Sequence, residues 1–172
     1  MDEKVKLQII MVLLGALIAS SASLSNSYLL WNSQVNSEKK NIAQGFSQEI
    51  VSMEPGLTDL DNNLINSSSS NDVFIQETPI YPDTGMYFVL QKSVFLLDEN
   101  TSRDLFFFYT NLISAEQNRK LVWEIQRKSD TRVLTNSEKL RQKMLTKSIK
   151  QSINNSVTVM PALEKELDAI YK

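Results

Sequence analysis

Asp59, Asp61 and Asn63 fall at alternate positions, the spacing of the first three ligands of a helix–loop–helix calcium site. Such a loop needs a glycine at its sixth position to turn sharply and a glutamate at its twelfth to bind the ion through both oxygens. Those positions hold Leu64 and Ser70. Asp98, Asn100 and Ser102 repeat the spacing and fail in the same way. Solvated turns account for both stretches better than calcium does. Asp98 and Glu99 form an adjacent carboxylate pair, which in principle suits acid/base work. At the start of a helix such a pair more often meets the exposed N–H groups and the positive end of the helix dipole. The many serines lack a histidine to activate them, and no motif supports a Ser–Lys pair.

Composition removes most other chemistry. The 172-residue chain has no Cys, so disulfides, thiolate catalysis and cysteine metal sites are absent. It has no His, the usual zinc ligand and the usual general base near neutral pH. Its glycines, Gly15, Gly45, Gly56 and Gly85, are too scattered for a phosphate-cradling loop. The expectation is a non-enzymatic protein without metal or cofactor. A net charge of −2 gives no global signal for nucleic acid, and none is expected as a partner.

The elements that position these residues begin with an apolar N-terminal segment. No charged residue occurs from Leu7 to Ser37. As one transmembrane helix, residues 7–31 would extend about 37 Å, enough to cross a hydrocarbon core of about 30 Å. Tyr28 and Trp31 would then sit at the far interface. As a cleavable signal, Lys4 and Lys6 would precede the apolar run Leu7 to Ala19, with Ser20-Ser21-Ala22 as the cleavage site. A buried core helix is the third reading. Gly15, Ala19, Ser23 and Ser27 place small residues at four-residue spacing, a face suited to helix pairing in lipid. Lys4 and Lys6 before the segment are balanced by Lys39 and Lys40 after it, so basic residues do not set the orientation. The Asn/Ser-rich downstream chain, with N-x-S/T triplets at Asn66, Asn100 and Asn154, favours an extracytoplasmic C-terminal part.

Beyond this segment the expectation is all-α. Residues 32–54 read as a stalk helix with Ile42, Ala43, Phe46, Ile50 and Met53 near a 3.6 period, stopped by Pro55-Gly56. Residues 55–85 read as a flexible Asn/Ser-rich linker, with an extended piece at 73–80. Tyr81 to Gly85 has turn chemistry, with Pro suited to the second position and Gly to the fourth. Residues 86–172 form a small helical hairpin or bundle. Met86 to Leu97 is expected as a buried helix of about three turns, with a strand as the alternative for Met86 to Leu90. The next helix is expected to be capped by Thr101, with Asp104 completing a short capping box. A break follows near 129–135, then a cap at Thr135 with Glu138. A turn is expected at Asn154-Asn155, and Pro161 in the first turn of a last helix. The expected core is Phe88, Phe95, Leu105, Phe108, Leu112, Val122, Leu140, Met144 and Ile149. Three consecutive residues cannot all face one core in a helix, so the run Phe106-Phe107-Phe108 leaves at least one ring for another element, a partner or lipid.

Charge is segregated along the chain. Glu49 to Asp104 holds ten acidic residues and two basic, whereas Arg119 to Lys150 holds ten basic and three acidic. The basic stretch suits anionic lipid, nucleic acid or an acidic partner, or packs near the chain's own acidic half. The functional expectation is a membrane-anchored accessory or assembly subunit. Its partners are the lipid bilayer and either another membrane protein or a second copy, with Phe106, Phe107 and Trp123 as contact residues. The alternative is a secreted or anchored extracytoplasmic ligand-binding or sensor module whose apolar pocket is lined by Phe88, Phe95 and Phe108.

Overall fold

The computed structural model describes residues 3–66 and 79–172, and side-chain surroundings in the first helix from residue 19 to 64 with few gaps. Four α-helices and one 3-10 turn make up these residues, with no strand among them: α1 (Glu3–Asn66), α2 (Met86–Leu90), the 3-10 turn Val94–Leu96, α3 (Glu99–Ser129) and α4 (Asn136–Tyr171). The all-α expectation holds, and the strand alternative at Met86 to Leu90 does not. The chain divides into two compact units, residues 1–39 and 40–172.

The first unit is helical from Glu3 onward. Among the described residues no helix is long and apolar enough to cross a membrane. The side chains of residues 12–18, the centre of the apolar run, lie outside that description. Leu24, Tyr28, Leu29, Leu30 and Trp31 are all exposed. Tyr28 and Trp31 stand one above the other, with ring centroids 6.4 Å apart.

In the second unit, α3 and α4 form an antiparallel hairpin. Asn118 Nδ2 donates to Ser148 Oγ, Asn155 Nδ2 to Asn111 Oδ1, and Ser156 Oγ to the Phe108 carbonyl. Residues 40–66 of α1 also run antiparallel to α4, with Ser47 Oγ donating to Asp168 and Asn154 Nδ2 to Asp61. The shared core includes Phe46, Ile50, Leu57, Leu64, Leu105, Phe108, Tyr109, Leu112, Val122, Ile149, Ile153, Leu163 and Leu167. Residues 40–66 are therefore part of the bundle, which is not confined to residues 86–172.

Pro55-Gly56 does not end α1, and residues 57–66 are helix, not linker. Pro55 lies on the exposed side, so its missing N–H and the local kink it favours are borne at the surface. Ile50, Met53, Leu57, Leu60 and Leu64 carry the apolar stripe straight past it into the core. Packing of that stripe outweighs the local penalty of about 3 kcal/mol for proline. The same holds at Pro161, which sits inside α4, with no turn at Asn154-Asn155. Both asparagines instead bond across to neighbouring helices. The expected extended piece at 73–80 lies almost wholly outside the described residues.

Caps define the hairpin. Thr135 caps α4 in a full capping box with Glu138, as the sequence predicts. Arg132 grips the same carboxylate at 2.9 and 2.6 Å. At α3 the cap is Asp98, not Thr101. Asp98 accepts from the Thr101 N–H at 3.0 Å and the Thr101 hydroxyl at 2.8 Å. Asp104 pairs with Arg103. Residues 86–97 do not form one buried helix. A five-residue helix and a 3-10 turn leave Phe88 and Phe95 exposed, burying only Val94 and Leu97.

Candidate functional site

The densest polar arrangement surrounds Glu49, on the inner side of α1. Its Oε2 accepts the Tyr109 hydroxyl at 2.5 Å and lies 3.5 Å from the Tyr81 hydroxyl. Its Oε1 accepts the Met86 backbone N–H at 2.6 Å. Tyr81 in turn accepts from the Tyr87 N–H at 3.0 Å. Rings close the site: Tyr87 stacks on Tyr109 at 4.8 Å, Phe46 and Tyr81 approach Tyr109 at 5.6 and 5.4 Å, and Phe108 meets it edge-on at 5.0 Å.

A second carboxylate works in parallel. Glu116 on α3 accepts the Ile80 backbone N–H at 2.8 Å and takes both Nε and a terminal nitrogen of Arg119 at 2.8 Å. Glu116 and Arg119 are both buried. Two carboxylates from two helices thus hold the two ends of the segment 80–86. Between them the chain turns where the Gly85 N–H donates to the Pro82 carbonyl at 3.0 Å. Pro82 occupies the first position of this turn rather than the second. Gly85 is needed for close approach: a Cβ there would lie 2.2 Å from the Tyr81 ring carbon and hydroxyl.

This arrangement ties α1, the 80–87 segment and α3 together. Burial, first, and the neighbouring Glu49 carboxylate push the Tyr81 and Tyr109 phenols far above their ordinary range. Both therefore stay neutral donors. Both oxygens of each carboxylate accept hydrogen bonds from the chain. The pairing of Glu49, Tyr81 and Tyr109 joins three distant sequence segments, so no local spacing announces it.

Asp59, Asp61 and Asn63 lie on helix α1, where alternate residues point about 200° apart and cannot wrap one ion. Asp98 and Glu99 start α3, with Asp98 serving as its cap. Phe108 is fully buried while Phe88 and Phe95 are exposed, so these rings do not line one pocket. Leu140 and Met144, expected in the core, are exposed at 60% and 62%. Leu105, Leu112, Val122 and Ile149 are buried as expected. Of the contact residues, Phe106 and Phe107 are exposed at 59% and 46%, and Trp123 is half-buried. Gly15, Ala19, Ser23 and Ser27 lie on α1, with Ala19, Ser23 and Ser27 exposed.

The far end of the α3–α4 hairpin is basic. Arg127, Lys128, Lys139, Arg141, Lys143 and Lys147 are exposed there. A shallow groove of about 420 Å³ on α4 is lined by Lys147, Lys150, Gln151 and Asn154. Comparison with protein-family models, curated proteins and solved structures found no match.

Proposed function

We propose that this chain is a membrane-anchored, non-enzymatic interaction protein, an accessory or assembly subunit of a membrane complex. Its segment 7–31 crosses the bilayer, and its helical bundle lies on the extracytoplasmic side. The observation that carries the interaction role is the exposure of Phe106 and Phe107 beside the fully buried Phe108. Two large rings left in water on a well-packed helix mark a surface that another apolar surface covers. The anchor is supported by the uncharged stretch Leu7 to Ser37 and by exposed Tyr28 and Trp31 at its far end. Close approach through the small-residue face Gly15, Ala19, Ser23 and Ser27 brings a second membrane helix alongside.

The test is purification of the full chain from its native membrane in mild detergent. A stoichiometric membrane partner is expected, and the double substitution Phe106→Ser with Phe107→Ser releases it while helix content stays unchanged. A lone monomer from both proteins would refute the interaction role. Replacing Gly15 and Ala19 with Leu separately tests the pairing face, and unchanged retention of the partner would remove it from the account.

A further inference from the structure

We infer that the outer end of the α3–α4 hairpin is a docking surface for an anionic lipid membrane, distinct from the N-terminal anchor. The sequence already concentrates cations here, and the fold shows how they are arranged. The last buried residue on α3 is Ile125 and the first on α4 is Thr146. Between these points the hairpin has an uncovered outer face.

On α4 two rows run side by side. Leu140 and Met144 are one turn apart and exposed. Lys139, Lys143 and Lys147 form the adjacent row, Lys143 and Lys147 each three residues beyond an apolar neighbour. Val133, 85% exposed, lies in the connection between the helices. Arg127, Lys128 and Arg141 add charge. Among the described residues none of these six cations forms an ion pair, whereas nearby Arg132 is held by Glu138.

The pattern favours lipid over an acidic protein. The exposed apolar groups here, Val133, Leu140 and Met144, are all aliphatic. The one aromatic of the basic stretch, Trp123, is half-buried on α3, so no fully exposed aromatic anchor of the kind that dominates specific protein contacts stands in the row. The cations are mostly lysines, which act as point charges rather than as geometric forks. The adjoining groove is shallow. An apolar row shallow enough to enter the headgroup region, bordered by lysines that reach phosphates, is the arrangement of a helix lying on an anionic bilayer.

The experiment uses the full chain and flotation with two sets of vesicles, neutral phosphatidylcholine and the same lipid with about one-third phosphatidylglycerol. The anionic vesicles should also be clustered by protein already inserted into neutral ones, and salt should reverse this. Replacing Lys143 and Lys147 with Gln should weaken the anionic increment about thirtyfold. Replacing Leu140 and Met144 with Ser should weaken it independently of salt. All four positions are exposed, and unchanged helix content confirms the fold. Binding to neutral vesicles reports the anchor. The part of the anionic increment lost on the Lys143→Gln and Lys147→Gln changes reports the hairpin apart from Lys4, Lys6, Lys39 and Lys40 beside the anchor, so either reading can fail without the other. Equal binding to both lipids, or an increment that survives the Lys143→Gln and Lys147→Gln changes, overturns the inference. So does charge-dependent self-association without lipid binding, which assigns the face to a second copy.

Discussion

Tyr109 donates its hydroxyl to Glu49 at 2.5 Å, tying the middle of α3 to α1 through a carboxylate that also holds the Met86 backbone. The phenol is fully buried, and the bond is charge-assisted. Tyr109→Phe should therefore lower stability by about 1–3 kcal/mol, because it leaves a carboxylate short of a donor. Denaturant unfolding measures it. An unchanged midpoint would show that the bond contributes nothing net.

Alkaline stability follows from the same residues. The Tyr81, Tyr87 and Tyr109 phenols are all raised in the folded state, chiefly by burial. A raised folded value means that the contribution to stability is whole below the unfolded value of about 10 and is lost as pH rises beyond it. Phenolate absorbance should show the buried Tyr81 and Tyr109 ionising only as the protein unfolds. Five tyrosines titrating together near pH 10 in the folded protein would contradict the burial.

Two glycines should respond in opposite directions to alanine. Gly85→Ala drives a Cβ into the Tyr81 ring and should cost about 1–3 kcal/mol. Gly56 is helical and has nothing within 4 Å of where its Cβ would stand. Gly56→Ala should stabilise the protein by about 0.5–1 kcal/mol. Thermal unfolding of the pair checks both signs, and destabilisation by Gly56→Ala would mean that α1 does not pass through this position as a helix.

Glu164 is raised by burial and by Glu54 and Asp168 facing it, and its Oε1 is buried without a hydrogen-bond partner among the described residues. Its charged form is thus disfavoured on folding. Glu164→Gln should raise the melting temperature at neutral pH. The gain should vanish as pH falls below the ordinary carboxylate value, where the native residue is protonated in both states. A melting temperature lowered at neutral pH would show that the charge is favourably placed.

The hairpin was legible where local chemistry and periodicity agree. Thr135 and Glu138 announce the start of α4, and Leu105, Phe108, Leu112 and Val122 mark the inner face of α3. The reach of α1 was obscured because Pro55-Gly56 is a strong local stop. The stripe Leu57, Leu60 and Leu64 beyond it is the signal that counted, and its weight depends on α3 and α4 being there to cover it. Leu140 and Met144 show the reverse error. Their spacing is helical, but periodicity reports an apolar face and not whether anything covers it. The Glu49 cluster draws on α1, the 80–87 segment and α3, so it becomes visible only in three dimensions.

The anchor is the premise on which the proposed role rests, and the most direct measurement is alkaline carbonate extraction of native membranes combined with the intact mass of the retained chain. The account predicts that the protein stays with the lipid and carries its N-terminal segment. Release into the wash, or a mass beginning at Ser23, would contradict it.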